Sequence, residues 1–167
     1  MPFLNLPLIL ETRRNHALEH ATLHILAEKY PGHRFAGHSN PTGFFILGDA
    51  PTEDVRRAVS QALTRLRAGE RELAVHPGCG TNFLTVVFLS TTLAWSPLSG
   101  ARNLRSRLWR LPLAILMGVI GFLLGQALGP ALQARVTTEA DLGNLRVLDI
   151  QPIRRGRFVA HRVVTGT

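Results

Sequence analysis

The run Asn15-His16-Ala17-Leu18-Glu19-His20 holds two imidazoles four residues apart, with a carboxylate beside the second. In a helix, about 100° of rotation per residue returns His20 to the face of His16, one turn on, with Glu19 flanking the pair. Two neutral imidazoles so spaced can chelate one zinc ion, and a neighbouring carboxylate can take the proton of an attacking water. His16 and His20 are therefore candidate metal ligands, and Glu19 is the candidate general base. The plainer alternative is a pair of solvated or capping histidines beside an ordinary helical glutamate.

A zinc site needs a third protein ligand. His76 and Cys79 form His76-Pro77-Gly78-Cys79, and an H-x-x-C turn can present both side chains to one ion. Folded over the first helix, either residue completes the site. Otherwise His76 ends a strand and Cys79 is a small buried residue. His24 lies two turns beyond His16 but is rotated by about 80° from it, which makes it a poor partner. His38 is a lesser candidate, and His33 and His161 are expected at the surface.

The H-x-x-E-H spacing resembles that of inverzincin metallopeptidases. The resemblance spans His16 to His20 and implies zinc on the two histidines with Glu19 as base. In that family the third ligand is a glutamate on a later helix, for which Glu53, Glu70 and Glu72 are the positions available. Phosphate-binding glycine loops, a G-x-S-x-G elbow and paired C-x-x-C motifs are absent from the sequence. Cys79 with a histidine as a thiol nucleophile–base pair ranks third among the chemistries. As the only cysteine it forms no intrachain disulfide.

The elements that position these residues follow from periodicity and punctuation. Glu11 to Tyr30 reads as a helix stopped by Pro31-Gly32, with Leu18, Ala21 and Ile25 as its apolar stripe, separate from the histidine face. Arg34 to His38 and Phe44 to Gly48 read as strands around a Ser39–Gly43 turn. Thr52 is the expected N-cap of a second helix reaching Arg67, with Val55, Val59, Ala62, Leu63 and Leu66 as its core face. Glu72 to His76 reads as a short strand. Leu145 to Ile150 and Arg157 to Val164 read as two more, around an Arg-Arg-Gly turn.

Between these parts lies an apolar stretch. Leu111 to Gln133 carries no charge, and roughly twenty such residues at about 1.5 Å rise span a bilayer core of about 30 Å. Thr81 to Leu98 is also uncharged, though diluted by Asn82, Thr85, Ser90, Thr91 and Thr92. Trp95 and Trp109 would flank the connector at one interface, as aromatic belts do, and Arg102, Arg105, Arg107 and Arg110 suit lipid headgroups. Gly121, Gly125 and Gly129 share one helix face and admit close approach, either of the first span or of a second copy. The first ten residues lack a basic n-region and a cleavage site, so a signal peptide is not expected. They read as an extended apolar arm.

The expected organisation is an arm (1–10), an α+β head (11–78), a two-helix transmembrane hairpin (79–132) and a C-terminal β-hairpin (133–167) that rejoins the head. The head holds two helices and about five strands. Eighteen of the nineteen basic residues are Arg and the net charge is +8, which suits an anionic membrane surface or an acidic partner. The Arg residues are spread along the chain without a nucleic-acid-binding motif, so no nucleic-acid partner is expected. The expected location is the cell membrane, multi-pass, with the head on the cytoplasmic side. The expected partners are the lipid bilayer and a homodimer or larger membrane complex.

Asn15-His16-Ala17-Leu18-Glu19-His20-Ala21-Thr22, Gly48-Asp49-Ala50-Pro51-Thr52-Glu53 and His76-Pro77-Gly78-Cys79-Gly80-Thr81-Asn82 resemble an uncharacterised family of small bacterial membrane proteins. The likeness covers nearly the whole chain. It implies the membrane topology and nothing about activity. Two functional classes follow from the residues: a membrane-anchored zinc metallohydrolase or peptidase, and a non-catalytic accessory or structural subunit of a membrane complex.

Overall fold

The computed structural model describes residues 2–155 and 158–167. It separates into two units: residues 1–76 with 134–167, and residues 77–133. In architecture the chain is mixed, with four α-helices and a four-stranded antiparallel sheet among the described residues.

The first unit is built on α1, Pro7–Lys29. The segment expected as an extended arm is helical: a 3-10 turn covers Pro2–Asn5, and α1 then starts at Pro7. Pro7 is the reason, because a proline at the first helical position loses no hydrogen bond and brings a helical φ. Strands β1, Ala36–Asn40, and β2, Gly43–Leu47, form a hairpin. At their turn the Asn40 side chain accepts from Thr42 N–H at 3.0 Å, and Gly43 takes φ +135°, where a side chain would be strained. Helix α2 spans Thr52–Arg67. Its N-cap is Pro51, not Thr52, whose hydroxyl instead lies 3.1 Å from His161 Nε2.

Strands β3, Arg146–Arg155, and β4, Phe158–Gly166, complete the sheet in the order β1-β2-β4-β3. The expected Arg-Arg-Gly turn has its Gly156 outside the described residues. Pro152 lies within β3, which is tolerated because β3 is an edge strand. The strand expected at 72–76 is not formed. Arg71–Ala74 is a 3-10 turn, so the sheet has four strands where about five were expected.

The inner face of the sheet is set by a period of two. Phe44 pairs with Val163 and Ile46 with His161, and all four are buried. Phe45 and Arg162 pair on the outer face, where the guanidinium lies 4.7 Å from the ring centroid. His161 is thus an inner-face residue, 1% exposed, and not the surface histidine expected from the sequence. The core joins Leu18, Ala21 and Leu26 of α1 to Val55, Val59 and Leu66 of α2 and to Phe44, Ile46 and Val163. α1 is buried on most of its circumference, polar residues included: Asn15, Glu19, His20 and Thr22 are as covered as the apolar stripe.

The second unit is a pair of helices, α3 (Gly80–Trp95) and α4 (Leu104–Leu132). α4 begins earlier than expected because Asn103 caps it, accepting from Ser106 N–H at 2.8 Å. Arg105, Arg107 and Arg110 are therefore helical, and Pro112 is interior to the helix and not in its first turn. The three glycines meet α3 in reverse order: a Cβ on Gly121 would face Leu89 and Ser90, on Gly125 Val86, and on Gly129 Asn82. The helices therefore run antiparallel with their backbones in close approach, and the small-residue face belongs to α3, leaving no room there for a second copy. Asn82 and Gln133 join across the pair at 2.5 Å.

Among the described residues one helix, Leu104–Thr137, is long and apolar enough to cross a membrane, with a mean hydropathy of 2.1 over its most apolar 18 residues. Only 17% of those 18 residues are buried. α3, the weaker of the two expected spans, corrects the expectation of a two-helix transmembrane hairpin and of a multi-pass location. Its 16 residues reach about 24 Å at 1.5 Å rise, short of a bilayer core of about 30 Å.

Candidate metal centre

His16 and His20 leave α1 on the same side, with ring centroids 4.2 Å apart and planes at 59°. Their ligand nitrogens lie within 4.8 Å of one another. Each ring is oriented by a backbone carbonyl distant in sequence. His16 Nδ1 lies 2.9 Å from Thr137 O, and His20 Nδ1 lies 2.7 Å from Ala74 O. A carbonyl only accepts, so both Nδ1 atoms carry a proton, and in the neutral ring Nε2 is the atom that can ligate. This is the arrangement by which proteins hold metal-binding histidines: one ring nitrogen donates to the protein and the other is presented to the ion.

The 3-10 turn at Arg71–Ala74 aims the Ala74 carbonyl at His20 and leads into His76. The His76 ring centroid lies 5.7 Å from that of His20 and 4.8 Å from that of His24. Burial, with His24 and His20 adding smaller repulsions, pushes His76 down to about 4. It is therefore neutral at pH 7, the form that binds metals. His24 donates from Nε2 to Val75 O at 2.9 Å and so braces the same segment.

Glu19 turns away from solvent, 3% exposed, towards the inner face of β1. Its carboxylate accepts from the Ser39 hydroxyl and lies where a side chain on residue 37 would stand. Gly37 and Ser39 are inner-face positions, opposite Ile46 and Phe44. Neither was singled out from the sequence. The available signal was a glycine inside a strand, which marks close approach of another group.

The remaining candidates lie elsewhere. His38 and His33 are exposed. Glu53 is exposed on α2 and paired with Arg56 at 4.0 Å and Arg57 at 3.4 Å. Glu70 pairs with Arg65 at 2.6 Å, which holds its carboxyl below the usual range, and Glu72 is exposed. None has the context of a glutamate ligand. Cys79, half-buried, is the N-cap residue of α3. With Asn82, Phe83, Phe122 and Gln126 it lines a groove of about 560 Å³ along the helix pair.

Two further α1 residues explain why the helix is polar and buried together. Arg13 donates to Val136 O at 2.8 Å and Thr138 O at 3.0 Å and pairs with Glu139 at 3.2 Å. Asn15 donates to Asn40 O at 2.9 Å and accepts from Thr165 at 2.7 Å. Arg13 and His16 satisfy carbonyls in and just past the π-helical turn Gln133–Thr137, and Asn15 ties α1 to the sheet.

The fold and site define a class: a mixed α/β protein with a carbonyl-oriented histidine cluster on its central helix and an appended apolar helix pair. Residues 11–150 match the family described as a domain of unknown function, DUF6391, and the chain belongs to that family. It is 38% identical over 160 residues to an uncharacterized protein of Picosynechococcus sp., covering 86% of this chain and 73% of the relative. No solved structure matches the chain.

Proposed function

We propose that this chain is a membrane-anchored zinc protein, with His16 and His20 as ligands, and that it acts as a metallohydrolase with Glu19 as general base. The observation that carries the reading is the paired orientation of the two imidazoles, whose ring centroids are 4.2 Å apart, by Thr137 O and Ala74 O. The third ligand comes from the His76-Pro77-Gly78-Cys79 segment, through His76 or Cys79. Zinc, when bound, polarises a carbonyl and acidifies water. The protein's share is to orient the imidazoles, to fix the Glu19 carboxylate through Ser39, and to accept a proton there. The uncharged stretch Leu111–Leu132 of α4, with α3 beside it, anchors the protein in the bilayer. The groove lined by Cys79 suits a membrane peptide segment or a lipid-derived substrate.

Metal analysis of detergent-purified protein tests this. Near-stoichiometric zinc is expected, lost in His16→Ala and His20→Ala and kept in Glu19→Gln. A metal-free wild type that takes up no added zinc would sink the reading.

A second reading, a non-catalytic subunit of a membrane complex, is favoured by one observation. His16 and Arg13 together satisfy the carbonyls of Arg135, Val136, Thr137 and Thr138, a sufficient structural reason for a histidine at position 16. Zinc-free protein whose His16→Ala variant loses only stability supports this alternative.

A further inference from the structure

The second unit has an extreme charge pattern. Residues 77–133 contain no acidic residue and four cations, Arg102, Arg105, Arg107 and Arg110, all within nine positions. They sit on the connector 96–103 and the first two turns of α4. All four are exposed, and no carboxylate among the described residues pairs with them. Arg110 reaches back to Pro97 O at 3.0 Å and closes the connector. Around these cations stand unburied apolar side chains: Trp95 is 66% exposed, Trp109 78% and Leu104 73%.

We propose that this end of the helix pair binds the phosphates of anionic phospholipid headgroups. The inference rests on the membrane reading of α4. Charge of one sign, uncompensated within the unit, calls for an anionic partner. Tryptophan and leucine interleaved with the arginines call for an amphiphilic partner: guanidinium heads reach the phosphate plane while indole and aliphatic groups enter the acyl boundary. Leucine offers nothing to a nucleic acid, which stacks on aromatic faces. Guanidinium also suits the target, because its fork of donors matches two phosphate oxygens.

The test uses full-length protein in a neutral maltoside detergent, supplemented with dioleoyl phosphatidylglycerol or, at equal concentration, dioleoyl phosphatidylcholine. The anionic lipid is expected to raise Tm by roughly 2–4 °C over the zwitterionic one, and to lose that advantage at high salt. Arg105→Gln with Arg107→Gln should abolish the difference. Arg34→Gln with Arg71→Gln, an equal charge loss in the first unit, should keep it. Equal stabilisation by the two lipids, an unaffected Arg105/Arg107 variant, or the same shift from inorganic phosphate alone would each overturn the proposal while leaving the membrane anchor intact. Recovery of the chain from cells in the soluble fraction, without detergent, would overturn the anchor and the proposal with it.

Discussion

His20 Nδ1 donates to the carbonyl of Ala74 across 2.7 Å, joining the centre of α1 to the segment that leads into His76. His20 is 1% exposed and Ala74 2%. Deleting the imidazole strands a buried carbonyl, which costs about 1–3 kcal/mol. His20→Ala should therefore lower the unfolding free energy of chelator-treated protein by about that amount. The same substitution should abolish zinc uptake. A stability loss seen only in zinc-loaded protein would mean that the carbonyl bond contributes nothing by itself.

Glu19 and Gly37 are coupled by space. A Cβ at position 37 would fall on the Glu19 carboxylate, which is buried and has Ser39 as a partner. Gly37→Ala should cost about 1–3 kcal/mol by overpacking. In a Glu19→Ala background the clash is gone, so the double variant should be less destabilised than the sum by about 0.5–3 kcal/mol. A double-mutant cycle in urea measures this directly, and simple additivity would place the carboxylate elsewhere.

Gly125 carries the close approach of α4 to α3. Its Cβ would lie 2.6 Å from Val86 Cα, against backbone that cannot swing aside. Gly125→Leu should lower Tm in detergent by several degrees, whereas Gly118→Ala, 3.3 Å from the Ala94 methyl, should change it little. An unchanged melting curve for Gly125→Leu would mean that the helix pair is separable.

His161 makes stability depend on pH. Burial, then the charge of Arg154, lowers its pKa below 6.5. The folded state therefore prefers the neutral ring, and the unfolded chain binds more protons as pH falls below about 6.5. The stabilisation is complete above that pH and declines on acidification towards the folded value. Urea midpoints of metal-free protein should fall between pH 7 and pH 5, and His161→Gln should flatten that slope without removing it, because His76 is also lowered, to about 4. An equal slope in the variant would show that His161 is protonated alike in both states.

Much of the first unit was legible in the sequence, because its signals were local. Pro31-Gly32 ends α1 within two residues, alternation marks β2 and β4, and the spacing of Val55, Val59, Ala62 and Leu66 marks the buried face of α2. The misreadings have non-local causes. Residues 72–76 look extended, yet the segment turns so that Ala74 and Val75 carbonyls meet His20 and His24. Pro2 and Pro7 suggested an arm, but proline at a helix start is favourable. At the site, His16, Glu19 and His20 announce themselves by spacing. Gly37, Ser39 and the two orienting carbonyls do not, because their place depends on strand register and on chain more than fifty residues away.

The last prediction separates His76 from Cys79 as third ligand. Both belong to the same four-residue segment, and their chemistries differ in what a metal probe reports. Cobalt(II) takes tetrahedral sites built for zinc, and a thiolate ligand adds an intense near-ultraviolet charge-transfer band that imidazole does not. If Cys79 ligates, cobalt-loaded protein shows this band, and Cys79→Ser removes it and weakens zinc binding by well over tenfold. If His76 ligates instead, the band is absent, Cys79→Ser binds zinc as the wild type does, and His76→Ala loses it. Neutral His76, lowered to about 4, makes its own ligation insensitive to pH between 5 and 7, whereas a thiol must lose its proton to bind. Zinc affinity rising more steeply across that interval in the wild type than in Cys79→Ser would therefore agree with Cys79. His24→Ala should leave zinc in place in either case, since its ring braces Val75 and is rotated from the His16–His20 face. Retention of zinc by a His76→Ala, Cys79→Ser double variant would exclude the segment altogether.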